Sequence, residues 1–292
     1  MTEPPIPPEP PPPTEMTLRP PGEFRREQYD TDAALELFEN LLLAAARIPV
    51  EDYPATHPLV LVQAAKALVG LRPHEPSRRL IDFALDRCPE LPPERPVDDL
   101  KIPLERLGTT VAVFELEDAV ESGDLPAARE QLGRLLLVSD NKPFAFDILL
   151  DLAARQTDKA PALVPLVHYC LRAAQFVGPG HVADFLLPAL DALVAGRGSS
   201  SGSGSGSRQL AVGSRSLPGV EQPRRVGSSG GRGSTGDRGW LLEEIEQASE
   251  ITIGLLLWAD NFRMLYRTAG EEHYPLLKEL AETRLAGLAN EK

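Results

Sequence analysis

Five histidines are the side chains in this sequence best suited to bind a metal or to move a proton: His57, His74, His168, His181 and His273. Imidazole is a common zinc ligand, and three protein ligands are enough for a catalytic zinc site. No two of these histidines have the spacing H-x-x-x-H or H-E-x-x-H, and none follows a glutamate by three residues as in di-iron bundles. A metal site therefore needs tertiary folding to assemble it, and the candidate ligands are His57, His168 and His181.

The two cysteines, Cys88 and Cys170, stand at apolar helical positions. This placement predicts reduced, buried thiols and is typical of a cytosolic protein. Cys170 follows His168 by two residues, and side chains at that spacing point to different faces of a helix. The pair therefore does not predict a nucleophile and its base. The sequence also lacks a G-x-S-x-G motif, a Walker loop and a G-x-G-x-x-G loop between a strand and a helix.

Paired carboxylates are a further candidate for chemistry. Glu117 and Glu121 are four residues apart, so on a helix their side chains share one face. Such a pair can bind a metal or act as acid and base. The same pattern is also typical of a solvated face of an acidic protein.

The formal net charge is −13 over 292 residues, and it is unevenly distributed. Residues 196–239 hold seven arginines and two acids and so carry +5, which leaves −18 for the rest of the chain. An acidic protein repels nucleic acid and anionic membranes. The proline-rich N-terminus has no apolar segment of the kind found in a signal peptide. We expect a cytoplasmic protein whose partner is another protein, with no membrane span and with nucleic acid disfavoured; the pattern indicates no particular cofactor.

The element predicted to position these side chains is the segment from Trp240 to Tyr266. Its apolar or small residues recur at alternating spacings of four and three, which is one stripe along a helix. The stripe consists of Leu241, Ile245, Ala248, Thr252, Leu255, Ala259, Phe262 and Tyr266. Between Ile251 and Trp258 nearly every residue is apolar, which predicts a helix buried on all sides and too short an apolar run for the ~20 residues of a membrane span. We expect the other helices to pack around this one.

Capping residues predict where several other helices begin. Asp30 or Thr31 caps the first, Thr56 caps the second, and Gly123-Asp124 ends one helix and starts the next. The hairpin AVESGDLPAAREQLGRLL resembles the turn of tetratricopeptide-type repeats over about 20 residues, but no second copy follows about 34 residues later. Further predictions are an inner face of the first helix that includes Ala34, Leu35 and Phe38, a helix from Asp98 to Ser122, and a last helix from Glu271 to Ala289.

These patterns predict an all-α fold, a multi-helix bundle or an irregular helical-repeat-like array of about ten helices. Residues 1–25 are predicted to be a proline-rich disordered tail and residues 26–195 a helical domain. Residues 196–239 are predicted to be a disordered linker or insertion rich in Gly, Ser and Arg. Residues 240–292 are predicted to be C-terminal helices that pack back on the same domain.

The absence of a motif with catalytic spacing favours a non-catalytic cytoplasmic helical scaffold or protein-interaction protein. The alternative is an all-α enzyme or a metal- or cofactor-binding protein with a pocket that uses His57, His168 and His181. Two of those histidines close together at a concave pocket would favour the alternative, and scattered, solvent-facing imidazoles would favour the scaffold.

Overall fold

The computed structural model describes residues 18–25, 28–50, 54–88, 113–139, 143–198, 239–248 and 250–268, together with residues 278, 279, 281 and 283. These residues form ten α-helices and no strand, so the predicted all-α fold is confirmed for them. The helices are α1 Thr31–Ala46, α2 Pro58–Val69, α3 Arg78–Arg87, α4 Val113–Ser122, α5 Leu125–Val138, α6 Phe144–Arg155, α7 Ala160–Val177, α8 Val182–Gly198, α9 Gly239–Gln247 and α10 Ile253–Thr268. Short 3-10 helices cover Pro21–Phe24, Pro54–Thr56 and Pro179–His181.

Side-chain caps fix the starts of several helices. Asp30 accepts a hydrogen bond from the Ala33 amide at 2.7 Å at the start of α1, and Asp124 accepts one from Ala127 at 3.0 Å at the start of α5. Both caps are confirmed. The predicted cap of α2 is wrong: Thr56 ends a 3-10 helix, and the next residue, His57, caps α2 instead.

The core is built around α7 and α8 rather than around the C-terminal segment. The α7 helix packs against α1, α2, α6 and α8, and α8 also packs against α4 and α5. Fully buried side chains on α8 include Phe185, Leu186, Leu190 and Leu193. The prediction that the Trp240–Tyr266 segment is the central element is therefore wrong.

The Trp240–Tyr266 segment is also two helices and not one. The α9 helix ends at Gln247, and α10 begins at Ile253 with the Thr252 hydroxyl accepting a hydrogen bond from the Leu255 amide at 3.1 Å. Thr252 is exposed, whereas most of the predicted stripe is buried. Because Leu257 is only half-buried, the helix is not buried on all sides. An uninterrupted apolar spacing does not reveal a break that a polar cap makes between two helices.

The C-terminal helices contact the first part of the chain. The α10 helix packs along α2, Arg72 forms an ion pair with Glu243, and Arg79 donates to the carbonyl oxygen of Ala248 at 2.7 Å. The assignment of residues 26–195 and 240–292 to one domain stays a prediction, and these contacts support it. None of the described helices is both long and apolar enough to cross a bilayer.

The last residues of the predicted tail pack on α1. Asn40 accepts a hydrogen bond from the Arg19 amide at 2.9 Å and donates one to the Arg19 carbonyl at 2.7 Å, and Phe24 is only 1% exposed. The predicted boundary at residue 25 is therefore too late. Several predictions fall outside the described residues: those on residues 1–17, on the linker residues 199–238, on the part of the predicted helix Asp98–Ser122 that precedes Val113, and on most of the predicted helix Glu271–Ala289.

Candidate functional site

His57 is held by the backbone through both ring nitrogens. Its Nδ1 accepts a hydrogen bond from the Leu59 amide at 3.2 Å, and its Nε2 lies 3.0 Å from the carbonyl oxygen of Ile48. The side chain is buried at the start of α2. These contacts explain His57 as a helix cap, and they occupy the nitrogens that a metal would need.

The three candidate histidines do not form one site. His181 ends the 3-10 helix before α8, and its Nδ1 lies 3.0 Å from Oδ2 of Asp184 in the first turn of α8; His168 stands in the middle of α7. Across the described ranges, no group of three or more His, Cys, Asp or Glu side chains could hold a metal ion. A metal site at His57, His168 and His181 therefore stays a prediction without geometric support.

The other candidates from the sequence have structural contacts. Glu117 forms an ion pair with Arg155 at 3.2 Å. Cys88 and Cys170 are both buried, as predicted. Burial raises the pKa of the Cys88 thiol to about 12, so it is protonated at neutral pH and unreactive.

A cavity of about 650 Å³ lies between α1, α2, α7 and α10. This volume is within the range of small-molecule binding sites. Most of its wall is apolar, and its basic and amide side chains come from α2, α7 and α10. The lining consists of Thr31, Ala34, Leu35, Phe38, Gln63, Lys66, Ala67, Val69, Gly70, Pro73, Pro76, His168, Leu171, Arg172, Gln175, Phe176, Arg263 and Met264. We call it the basic cavity.

The basic cavity explains why one residue of the predicted inner face of α1 is exposed. Leu35 was predicted to belong to the core, but it is 45% exposed and lines the cavity. Leu37, two residues further along α1, is fully buried in its place. The apolar residues of α1 therefore serve both the core and the cavity wall, which a single helical stripe does not distinguish.

Among the described residues, every ionisable side chain that lines the basic cavity is a base: Lys66, His168, Arg172 and Arg263. No carboxylate is among the lining residues that the structure describes. This composition is unusual for a chain with a net charge of −13. A low-polarity site that concentrates one sign of charge attracts ligands of the opposite sign.

The two arginines are held in place by Asp260, which is fully buried on α10 behind the cavity. Arg172 donates to Asp260 Oδ2 at 2.7 Å, and Arg263 donates to Oδ1 at 3.0 Å. The hydroxyl of Tyr169 donates to Oδ2 at 2.8 Å. Burial raises the pKa of Tyr169 well above its ordinary value, and the Asp260 carboxylate raises it further, so the hydroxyl stays a donor. One carboxylate thus orients two guanidinium groups.

Lys66 lies on α2 with its Nζ 3.9 Å from the centre of the Phe176 ring. The pKa of Lys66 is lowered to about 8, chiefly by burial and also by the positive charges of Arg172 and Arg263, while the Asp260 carboxylate opposes this shift. Within the described part of the chain, Lys66 forms no ion pair with a carboxylate. Its ammonium group is therefore held beside an aromatic face and close to other cations.

Two uncharged groups complete the polar wall. Burial lowers the pKa of His168, and Arg172 lowers it further, so the imidazole is neutral at pH 7. Gln63 is 1% exposed, and its buried Oε1 has no hydrogen-bond partner among the residues that the structure describes. An unpaired buried oxygen costs about 1–3 kcal/mol, and a ligand that donates a hydrogen bond would recover that free energy.

Of the three predicted site residues, only His168 lines the basic cavity. Lys66, Arg172 and Arg263 were not predicted as site residues, because cations are common on helix surfaces. One signal was present: Asp260 directly follows Ala259 in the predicted apolar stripe, and a carboxylate beside a buried stripe requires cationic partners. Comparison of the chain with protein-family models, with curated proteins and with solved structures gives no match.

Proposed function

We propose that this protein binds a small organic anion in the basic cavity. The observation that supports the proposal is the charge of the wall: Lys66, Arg172 and Arg263 line the same space, and no carboxylate is among the described residues that line it. Asp260 offsets one of the three positive charges, so a net positive charge is left for a ligand. Desolvating like charges is unfavourable unless an anion accompanies them.

The shape of the site indicates what the rest of the ligand is like. Phe38, Leu171 and Met264 line the cavity from three helices, and Phe176 presents its ring beside Lys66. Apolar walls with a few fixed polar groups are typical of pockets for amphipathic small molecules. The proposed ligand therefore has a carboxylate or phosphate at one end and an apolar body.

Calorimetric titration with 2-naphthoate and with 2-naphthylmethanol tests the proposal. The two probes share an apolar ring system and differ in charge, so the cavity should bind the carboxylate at least about tenfold more tightly, since charge-assisted hydrogen bonds are the strong ones. Lys66→Met should weaken binding of 2-naphthoate without changing that of the alcohol.

Arg87→Gln is the matched control for this experiment. Arg87 also stacks on a ring, 4.8 Å from the centre of Phe83, but it does not line the basic cavity. The control should bind both probes as the parent does. Equal affinity for the two probes, or a loss in Arg87→Gln as large as in Lys66→Met, would contradict the proposal.

The two functions expected from the sequence give different results in the same titration. A non-catalytic scaffold needs no cation-lined cavity and should bind neither probe. An enzyme or metal protein built on His57, His168 and His181 should bind a divalent metal, so titration with Zn²⁺ addresses that alternative. Binding of 2-naphthoate without Zn²⁺ binding favours the function that we propose.

A further inference from the structure

We propose that Lys66 forms an imine with the carbonyl carbon of an aldehyde or ketone whose anionic group is bound by Arg172 and Arg263 in the basic cavity. This inference rests on the proposed function, because it names the class of compound that the same cavity takes. It adds a covalent step that anion binding alone does not require.

Lys66 lines the same cavity as the two arginines. Its Nζ lies over the face of Phe176 in the cavity wall, and Arg172 stands one helical turn before Phe176 on α7. Arg263 lines the cavity from α10. A bound anion that contacts the two arginines therefore has the rest of its body inside the space that Lys66 also lines.

The surroundings of Lys66 also favour the neutral amine that imine formation needs. Only the neutral amine attacks a carbonyl carbon, and a lysine is made nucleophilic by desolvation or by neighbouring cations. Both causes act here: the group is half-buried, and Arg172 and Arg263 lower its pKa while Asp260 opposes them. With a pKa of about 8, about a quarter of Lys66 is neutral at pH 7.5, against roughly one part in a thousand for an ordinary lysine.

The neighbouring groups suit the intermediates of imine formation. The nitrogen lone pair attacks the carbonyl carbon, a C–N bond forms, and the carbonyl oxygen takes up the proton that the nitrogen loses. The resulting carbinolamine then loses its hydroxyl group with a proton as water and leaves the imine. His168, which is neutral at pH 7, lines the same cavity and is suited to move these protons.

Gln63 supplies an acceptor for the product. It precedes Lys66 by three residues on α2, so the two side chains share one face of the helix. Its Oε1 is buried and has no hydrogen-bond partner in the described part of the chain. A protonated imine at Lys66 carries an N–H group that can donate a hydrogen bond to this oxygen. The Gln63 Oε1 atom would then have a hydrogen-bond partner.

Reductive trapping with glyoxylate and cyanoborohydride tests the proposal on the full chain. Glyoxylate is an aldehyde with a carboxylate, and reduction of its imine leaves a carboxymethyl group on the reacting lysine. The five other lysines are internal controls: Lys101, Lys142, Lys159, Lys278 and Lys292. At pH 7.5, peptide mapping should show Lys66 modified at least about tenfold faster than Lys159, because Lys66 has a lowered pKa and lines the cavity that takes the carboxylate.

Acetaldehyde is the control probe, because it has the carbonyl group without the anion. Its adducts should show less preference for Lys66 than those of glyoxylate. The rate at Lys66 should rise with pH and level off near its pKa of about 8. An excess of 2-naphthoate should protect Lys66 from glyoxylate and leave Lys159 unprotected.

The outcomes separate this inference from the proposed function. If 2-naphthoate binds but glyoxylate modifies Lys66 no faster than Lys159, the imine proposal is wrong and anion binding stands. If neither probe engages the cavity, both are wrong. Preferential, protectable modification of Lys66 by glyoxylate establishes the nucleophile.

Discussion

The hydroxyl of Tyr169 on α7 lies 2.8 Å from Asp260 Oδ2 on α10, and this hydrogen bond joins residues 91 positions apart in the chain. The same carboxylate accepts hydrogen bonds from Arg172 and Arg263, whose side chains are each 14% exposed. The contact therefore attaches the C-terminal helix to the core and also sets the direction of the two guanidinium groups in the basic cavity.

Asp260→Asn should be strongly destabilising. It removes the negative charge and leaves Arg172 and Arg263 largely buried without a counter-charge, which costs about 3–5 kcal/mol when one partner of a buried pair is lost. Tyr169→Phe removes one hydrogen bond and should cost about 1 kcal/mol. Urea unfolding measures both. The control is Asp86→Asn, whose exposed pair with Arg25 should contribute less than about 1 kcal/mol. Equal losses in the two Asp variants would contradict the role of Asp260.

Thr252→Ala tests whether the C-terminal segment is broken. Thr252 caps α10, so its removal should lower the free energy of unfolding by about 1 kcal/mol. In a continuous helix the same change would raise stability by a few tenths of a kcal/mol, since alanine has the higher helix propensity. The sign of the change in urea unfolding therefore decides between the two structures. Thr268→Ala, at the other end of α10, is the control and should stay within about 0.5 kcal/mol of the parent.

Three leucines on α10 should differ in their tolerance of a charge. Leu256 is fully buried, Leu257 is half-buried, and Leu265 is 52% exposed. Leu256→Asp buries an unpaired carboxylate and should cost more than about 4 kcal/mol. Leu257→Asp should be milder, and Leu265→Asp should be near neutral. Thermal melts of the three variants give the order. If Leu257→Asp is as damaging as Leu256→Asp, the helix is buried on all sides, as the sequence suggested.

The stability difference between the parent and Lys66→Met should depend on pH. Folding lowers the pKa of Lys66 to about 8, so between pH 8 and 10.5 the unfolded chain holds a proton that the folded chain has lost. Stability rises with pH wherever the unfolded state binds more protons. Over this window the free energy of unfolding of the parent should therefore rise by roughly 2 kcal/mol relative to that of the variant. Well below pH 8, where Lys66 is protonated in both states, the difference should be constant. Arg87→Gln, which changes a residue outside the basic cavity, should show no such change.

Local signals in the sequence predicted what depends on a few neighbouring residues. The caps at Asp30 and Asp124 were correct because a cap is a hydrogen bond between residues three apart, and Gly123 has φ +78°, which glycine alone adopts without strain. The all-α fold followed from apolar spacing in the same way. The cap at Thr56 failed because a 3-10 helix formed before it, and a short 3-10 turn has no distinct apolar period.

Tertiary structure alone decided which elements lie at the centre and where the basic cavity forms. The apolar stripes of α8 and α10 read alike in the sequence, and only packing places α8 among α1, α4, α5, α6 and α7. Lys66 is about a hundred positions from Arg172 and still further from Arg263, so no motif spacing links them. The sequence did determine that a carboxylate at Asp260 follows a buried stripe. Which cations would balance it, and that they would surround a cavity, depended on the packing of α2, α7 and α10, because electrostatic partners in a folded chain are set by proximity in space.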